Sequence, residues 1–281
     1  MARSGNRAVA QILARELGLH YAFAPCYLNL AKGSGVEFGV EGENELGLHG
    51  NAVLIRYPLD NARCISLENG KDKMAGREKR LGNQTALAVD VALPATPLTA
   101  VAVHLDAQSR QGHRRGQMED VLDALGEDRR AIIGGDWNTT THNSSRAFPA
   151  IMGYWLRVFL GIDRSIEHYL HPYRWFEKGL FQLLEQRGFD YCACNRLGER
   201  TMSYDVDCDK TRQNLGEWVP GWCFAFIRWA LRNHEGRCPL KVDWFATRGI
   251  RTEDPVILHE LREGRRVPLS DHDAIGVEVL V

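Results

Sequence analysis

Two short polar motifs, each next to an apolar run, contain residues whose types and spacing could do chemistry. The motif AIIGGDWN places Asp136 and Asn138 after one apolar run, and the motif LSDHDAI places Asp271 and His272 before another. Carboxylates can hold a divalent cation or activate water, and imidazole and amide groups can stabilise charge that develops on a phosphate oxygen. Together the two motifs favour hydrolysis of a phosphate ester.

Each motif also has an ordinary structural explanation. Asp136 and Asn138 could form an Asx turn, in which such side chains bond to their own backbone as the chain leaves a strand. Asp271 and His272 could be a polar turn that enters the last strand. The two motifs by themselves do not decide between a turn and an active site.

Two further polar residues lie near the ends of predicted strands. His104 in VAVHL points away from the aliphatic face of its strand, toward the side of Ala100 and Ala102, because side chains alternate. It could be a core histidine with a satisfied hydrogen bond or a ligand for phosphate. Asp243 in KVDWFATRG could be a strand-end cap.

The periodicity of apolar residues predicts the elements that must position these side chains. The predicted strands are residues 21–30, 51–57, 62–67, 84–93, 99–105, 131–135, 240–246 and 274–280. The predicted helices are the N-terminal segment that ends at Gly18, residues 112–125 and residues 178–186. This alternation is typical of an α/β fold.

Some pairings of these strands also follow. We expect 51–57 and 62–67 to be neighbours in one sheet, and 84–93 and 99–105 to form a hairpin. The helix at 112–125 then returns the chain to the strand that precedes Asp136, which completes an α/β unit.

Residues 144 to 239 differ in character from the rest of the chain. Tryptophans recur there at helical spacing between polar loops. We expect a Trp-rich insertion, mostly helical and loop, beside the active face of a single domain that covers residues 1–281. No repeat or linker divides the chain.

Three arginines follow the strand that carries His104. Arg110, Arg114 and Arg115 could meet phosphate near that histidine. The interpretation that we favour is a solvated start of the helix at 112–125.

Composition limits the classes of function. The 281 residues are 44% hydrophobic and carry 35 basic against 36 acidic residues, a formal charge of -1. This balance disfavours a protein that coats nucleic acid by charge, so any such contact must be local. Seven cysteines without a Cys-x-x-Cys pair disfavour a disulfide framework, so we expect a reducing, cytoplasmic location.

The apolar segments are short. The N-terminus has charges throughout, unlike a secretory signal, and no apolar run reaches the roughly 20 residues that a membrane span needs. We expect a monomer with no transmembrane segment.

The motifs resemble a known family when they are taken in order. GNAVL followed by RYP, then VAVHL, GDWN, VDWF and SDH are similar to the motifs of the endonuclease/exonuclease/phosphatase superfamily, which includes deoxyribonuclease I. The resemblance covers roughly residues 51 to 281. It implies a four-layer α/β sandwich of two mixed β-sheets with outer helices.

The resemblance also implies catalytic roles. Asp136 would orient or deprotonate the attacking water, and Asn138 would hold the phosphate. His104 would donate to a phosphate oxygen. His272 would contact the scissile phosphate, while Asp243 accepts the N–H of its other ring nitrogen.

The same resemblance makes Asp271 a metal ligand, with Mg2+ as the expected ion and Mn2+ as the alternative. Family members begin with strands that carry a catalytic Asn and a metal-binding Glu, and neither has a counterpart here. We therefore expect residues 1–281 to be N-terminally incomplete or to have degraded catalysis, with weak Mg2+ affinity and little activity.

The expected function is metal-dependent phosphoester hydrolysis by a nuclease, phosphodiesterase or phosphatase. Its substrate could be nucleic acid, a phospholipid head group or a soluble phosphate ester. The alternative is a catalytically impaired family member that acts as a binding or scaffold protein.

Overall fold

The computed structural model describes residues 1–32, 38–75, 79–93, 97–107, 109–127, 129–139, 160–208, 221, 223–262 and 269–280. Within them the strands are β1 His20–Asn29, β2 Leu48–Ile55, β3 Leu59–Leu67, β4 Arg80–Gly82, β5 Gln84–Val91, β6 Leu98–Ala102, β7 Ala131–Asp136, β8 Met202–Asp205, β9 Arg237–Leu240, β10 Asp243–Arg248, β11 Arg251–Leu258 and β12 Ala274–Leu280. The α-helices are α1 Val9–Leu17, α2 Gln111–Leu125, α3 Ile162–Leu170, α4 Lys178–Gln186 and α5 Cys223–Ala230.

Two sheets form the centre of the fold. The larger has the order β10-β7-β6-β5-β3, and the smaller has the order β2-β1-β4. In the larger sheet β6 and β7 are parallel, because α2 carries the chain back between them, and the other pairs are antiparallel. This mixed sheet confirms the predicted α/β unit and the predicted hairpin of β5 and β6.

One predicted pairing is wrong. Strand β3 pairs with β5 of the larger sheet, whereas β2 pairs with β1 of the smaller sheet. The short connection through Pro58 therefore crosses from one sheet to the other. Val53 and Ile55 of β2 pack on the cluster that contains Leu87 and Val89 of β5, so the two segments stack face to face instead of side by side.

Two apolar clusters, one on each face of the larger sheet, separate the layers of the fold. One lies between the sheets and is built on Ala24, Leu87, Val89 and Val91. The other lies on the opposite face of the larger sheet, where residues of α2 and α4 pack on the strands. Helix α1 contacts β1 and β2. The predicted four-layer sandwich is therefore confirmed, with mixed pairing in the larger sheet and antiparallel pairing in the smaller one.

The segment predicted as a Trp-rich insertion is described in part. It contains α3, α4, α5 and the short antiparallel pair of β8 and β9. Residues 140–159, 209–220 and 222 lie outside the described residues, so the insertion and the single-domain organisation stay predictions. No helix in the described part of the chain is long and apolar enough to cross a membrane.

The expectation of a solvated helix start is wrong for Arg114. Its side chain is fully buried and forms an ion pair with Glu177, which is also fully buried. The guanidinium also donates to the carbonyl oxygen of Ser109 at 3.2 Å. Helical periodicity turns this residue inward while its neighbour Arg115 stays partly exposed and pairs with Glu119 along the same helix.

Candidate active site

The strand register brings the polar motifs to one end of the larger sheet. Asp136, the last residue of β7, lies directly opposite Asp243, the first residue of β10. Because β6 runs parallel to β7, His104 emerges at the same end two residues after β6. Gly135 allows this closeness, since a Cβ there would lie 2.0 Å from the carbonyl oxygen of Val103.

Asp136 and Asn138 form the Asx turn that the sequence allowed, and they remain at the site. One oxygen of Asp136 accepts the backbone N–H of Asn138 at 2.8 Å, and Oδ2 accepts its side-chain amide at 3.2 Å. The same amide also donates to the carbonyl oxygen of Leu105 at 2.9 Å. Asn138 adopts a left-handed backbone with φ 48°. The turn therefore holds the carboxylate in one orientation, and the two explanations of the motif do not exclude each other.

His272 and Asp243 form a hydrogen-bonded pair. The Nδ1 atom of His272 lies 2.9 Å from Oδ2 of Asp243, so Nε2 is turned toward Asp136 at 4.0 Å. Burial by itself lowers the pKa of His272, but the bond to Asp243 and the charges of Asp243, Asp136 and Asp271 outweigh it and raise the pKa to about 9. His272 is therefore a cation at neutral pH.

Asp136 lies between two imidazoles. Its Oδ2 atom is 3.5 Å from Nε2 of His104, and its side chain is 17% exposed. Burial raises the pKa of Asp136, and the charge of Asp243 acts in the same direction, whereas His104 and His272 lower it. A carboxylate with a raised pKa is a better proton acceptor than an ordinary aspartate.

Thr201 joins the segment that carries Asp243 to the loop that carries His272. The sequence pattern did not predict this residue. Its Oγ1 atom accepts the backbone N–H groups of Val242 and Asp243, each at 3.1 Å. Its carbonyl oxygen accepts the N–H of Asp273 at 2.7 Å. A threonine 42 residues before Asp243 offers no local pattern that could have revealed this role.

Asp273 anchors the loop that carries His272. Its fully buried carboxylate accepts two hydrogen bonds from Arg262, each at 3.0 Å. It also lies 3.0 Å from Nδ1 of His259 and 3.5 Å from Arg200. The second aspartate of the SDHD motif is therefore a structural anchor, and its polar sequence context gave only a weak sign of burial.

Two aromatic residues near the site were also not predicted. The ring of His49 in β2 lies 6.1 Å from that of His104, and burial together with the charges of His104, Arg3 and Arg80 lowers the pKa of His49 to about 4. Burial raises the pKa of Tyr204 to about 12, with contributions from Asp136 and Asp271. His49 directly precedes GNAVL, and the alternation of side chains places it on the same face of β2 as Asn51, which was the available signal.

Asp271 is placed differently from the other predicted residues. It is exposed, and its charge acts on His272 and Tyr204. The described side chains whose ligand atoms lie within 4.8 Å of one another are Asp136, Asp243 and His272. Two of these three offer carboxylate oxygens, which suit a hard divalent cation. The structure thus brings His104, Asp136, Asn138, Asp243 and His272 together and leaves Asp271 at the exposed edge of the same cluster.

Several solved structures are similar to this chain in fold. The chain is similar to an endonuclease/exonuclease/phosphatase from Beutenbergia cavernae DSM 12333, with 14% identity, a TM-score of 0.52, and coverage of 96% of this chain and 56% of that one. It is also similar to an endonuclease/exonuclease/phosphatase family protein from Leptotrichia buccalis C-1013-b, with 11% identity, a TM-score of 0.52, and coverage of 97% and 78%. A 3'-5' exonuclease (NExo) from Neisseria meningitidis is similar with 13% identity, a TM-score of 0.51, and coverage of 97% and 84%. At such identities the likeness shows the fold.

The sequence comparison adds the family. No curated protein sequence matches the chain. The sequence model of the Endonuclease/Exonuclease/phosphatase family matches residues 6–272, which is nearly the whole chain and includes every motif named above. The motifs, the sandwich and this match agree, and the chain belongs to the endonuclease/exonuclease/phosphatase family.

Proposed function

We propose that this protein is a metal-dependent phosphoester hydrolase of the nuclease, phosphodiesterase or phosphatase type. The observation that carries the proposal is the pairing of His272 with Asp243 at 2.9 Å opposite the buried carboxylate of Asp136. A proton acceptor and a proton donor lie 4.0 Å apart at one site, and attack of water on phosphorus requires both groups.

Asp136 acts on the attacking water. Its orientation is set by the bonds from Asn138, and its raised pKa suits the acceptance of a proton. The water lies next to Oδ2, the oxygen that faces His104 and His272.

The donors act on the phosphate. His272 carries a proton on Nε2 because Asp243 accepts the N–H of Nδ1, and this N–H stabilises negative charge on a phosphoryl oxygen. His104 contacts a second phosphoryl oxygen. Asn138 holds the phosphate through its side-chain amide, which exchanges its bond to Oδ2 of Asp136 or to the carbonyl oxygen of Leu105 for one to the phosphate.

Asp271 is the proposed metal ligand, with Mg2+ as the ion and Mn2+ as the alternative. Mg2+ in such sites uses one or two carboxylates and completes its shell with water and substrate oxygens. The nearby carboxylates of Asp136 and Asp243 are the other hard donors in the cluster. When bound, the cation supplies positive charge to the phosphate oxygens.

The test is hydrolysis of bis(p-nitrophenyl) phosphate with Mg2+, with Mn2+ and with EDTA. We expect slow release of p-nitrophenolate that needs metal and that EDTA abolishes. Asp136→Asn and His272→Gln should each lower kcat by about 100-fold or more, the usual contribution of a general acid or base. Asp271→Asn should raise the Mg2+ concentration at half-maximal rate.

Matched controls are Asp123→Asn and His234→Gln. Both side chains are on the surface, in pairs with Arg187 and Asp163, and neither variant should change kcat. Metal-dependent turnover that survives Asp136→Asn would contradict the proposal. Binding of phosphodiester without turnover in any metal would instead support the alternative of a catalytically impaired binding or scaffold protein.

The proposal also includes the cellular location and the oligomeric state. All seven cysteines have free thiols, which supports a reducing, cytoplasmic location. We propose a monomer that acts on a phosphoester substrate, and sedimentation velocity of the purified chain checks its mass.

A further inference from the structure

A polar cavity lies beside the candidate active site. It has a volume of about 490 Å³ and is lined by the loop after β3, by strand β4 and by Asn83 between β4 and β5. Its lining includes Asn69, Lys71, Lys73 and Arg80. Lys73 is nearly buried and is paired at 2.9 Å with Asp106, which is also buried. This pair fixes the loop against the segment that follows His104.

The cavity opens at the same end of the larger sheet as the site. Gly70, within the cavity loop, donates its N–H to Oδ2 of Asp106 at 2.7 Å, only two residues after His104. Three rings form a second link, because Tyr27 stacks on His49 with centroids 6.2 Å apart and His49 lies 6.1 Å from His104. Tyr27, whose hydroxyl bonds to Asn69 of the lining, is thus two ring contacts away from the histidine beside Asp136.

Hydrogen bonds and a close backbone contact hold the wall of the cavity. The Tyr27 hydroxyl donates to Oδ1 of Asn69 at 3.0 Å, and the Asn69 amide donates to the carbonyl oxygen of Gly82 at 3.0 Å. A Cβ on Gly82 would lie 2.4 Å from the carbonyl oxygen of Cys26, so β4 is pressed against β1. A cavity with a fixed wall can hold a ligand without a large loss of conformational entropy.

Charge distinguishes this cavity from the site next to it. The lining contains three cations, Lys71, Lys73 and Arg80, and two carboxylates, Glu68 and Asp72, and the carboxylate of Asp106 is paired with Lys73. The Arg80 guanidinium lies 5.7 Å from the centre of the Tyr27 ring. Lys71 is half-buried, and burial and the charge of Lys73 lower its pKa although the charge of Asp106 raises it, so a further anion would stabilise its charged form.

The site itself has an excess of carboxylates, whereas cations and carboxylates are equal in number around the cavity. Asp136, Asp243 and Asp271 place three carboxylates around two histidines. A substrate with several phosphate groups would be repelled there unless cations near the site received the phosphates that do not react. Lys71 and Arg80 line the cavity, and the charge of Arg80 reaches His49, the neighbour of His104.

We propose that Lys71 and Arg80 form a subsite for a second phosphate group of the substrate, at least one linkage away from the phosphate that reacts. The proposal rests on the proposed phosphoester hydrolysis and narrows its substrate class. The subsite favours a compound that carries two or more phosphates, such as a short nucleotide chain, over a phospholipid head group that carries one.

Binding without turnover tests the subsite directly. The probe is fluorescein-labelled octathymidylate, and its anisotropy is measured with EDTA present so that hydrolysis does not interfere. In the double variant Lys71→Gln and Arg80→Gln we expect Kd to rise about 10-fold or more. The slope of log Kd against log salt should become shallower by about 0.7 for each lost phosphate contact on a single strand.

Two further variants guard against loss of folding and loss of net charge. Arg80→Lys keeps the charge and should bind much like the wild type. Arg15→Gln combined with Arg56→Gln removes the same number of charges at exposed positions. These residues are near the paired residues His20 and Ile55, at the end of the smaller sheet opposite His49. Their Kd should not change.

Hydrolysis provides the second readout. The Lys71→Gln and Arg80→Gln double variant should raise KM for octathymidylate about 10-fold and leave kcat/KM for bis(p-nitrophenyl) phosphate, which has a single phosphate, unchanged. If inositol trisphosphate competes with the labelled probe, a second phosphate group suffices for binding at the subsite. If unlabelled octathymidylate competes and inositol trisphosphate does not, binding also needs the nucleotide chain.

The failures of the two proposals can be told apart. If the double variant binds octathymidylate as tightly as the wild type, or no more weakly than the Arg15 and Arg56 control, the subsite is wrong even when turnover needs metal. If binding is lost in the double variant while the wild type cleaves no phosphodiester, the subsite stands and the proposed hydrolysis fails.

Discussion

Two histidines at the candidate active site, His272 and His49, have opposite ionisation. Carboxylates surround His272 and raise its pKa to about 9, whereas burial, His104, Arg3 and Arg80 lower the pKa of His49 to about 4. At neutral pH one imidazole is therefore a cation and the other is neutral. Burial in the case of His49 and neighbouring charge in the case of His272 assign these roles, although the residue type is the same.

The first prediction concerns the titration of His272 in metal-free protein. Its protonation stabilises the folded state fully below the ordinary pKa of 6.5, and this contribution is lost as pH rises through about 9. Asp243→Asn should move the titration midpoint toward 6.5, measured by NMR of the imidazole protons in EDTA. An unchanged midpoint would show that the bond to Asp243 does not set the pKa.

His49 provides a second prediction with the opposite sign. Because its folded pKa is below the ordinary 6.5, its contribution to stability is present above pH 6.5 and is lost as pH falls through about 4. His49→Gln should therefore weaken the pH dependence of the free energy of unfolding between pH 6.5 and 4. Urea titrations at several pH values measure this, and identical slopes for variant and wild type would contradict it.

The loop and strand that carry the His272 and Asp243 pair are held by Thr201 and Asp273. Thr201 bonds to the backbone of β10 through its hydroxyl and to the loop before β12 through its carbonyl oxygen. Asp273 anchors the same loop to Arg262. The position of His272 therefore depends on contacts between elements that are distant in sequence.

The variant Thr201→Val tests whether the contacts of Thr201 position His272. Valine keeps the shape but leaves two buried N–H groups without their acceptor, which should cost about 1–3 kcal/mol in the free energy of unfolding. The NMR midpoint of His272 should also shift. Thr201→Ser keeps the hydroxyl and is the control. A valine variant with the stability and midpoint of the wild type would rule out this tether.

The buried ion pair of Arg114 and Glu177 connects distant parts of the whole molecule. Arg114 lies in α2, the crossover between the strands that position His104 and Asp136, and Glu177 precedes α4. Both pack at the outer face of the larger sheet, where α2 and α4 share one apolar cluster. The pair therefore links the site-bearing unit to the segment that follows α3.

Removal of one partner should destabilise the whole fold. Glu177→Ala leaves a buried guanidinium without its counter-charge, and we expect a loss of about 3–5 kcal/mol in the free energy of unfolding by urea. The double variant Arg114→Met and Glu177→Leu replaces both charges with apolar groups and should recover most of this loss. If the double variant is no better than Glu177→Ala, the buried charge is not the cause.

The sequence by itself determined the features that depend on adjacent residues. Alternation of side chains predicted β5 and β6 and the direction of His104 away from the aliphatic face of its strand, and the chemistry of Asp136 and Asn138 allowed their turn. The order of the motifs predicted the family and therefore the sandwich. These properties depend on neighbouring residues or on the presence of a complete motif, so they can be predicted from the sequence.

Only the tertiary structure decided which distant groups meet. Arg114 and Glu177 are 63 residues apart, and Asp243 and His272 are 29 apart. The partner of β3, the burial of Asp273 and the neutral state of His49 likewise depend on contacts between separate elements. Burial and electrostatic interaction act through space, so no spacing along the chain could reveal them.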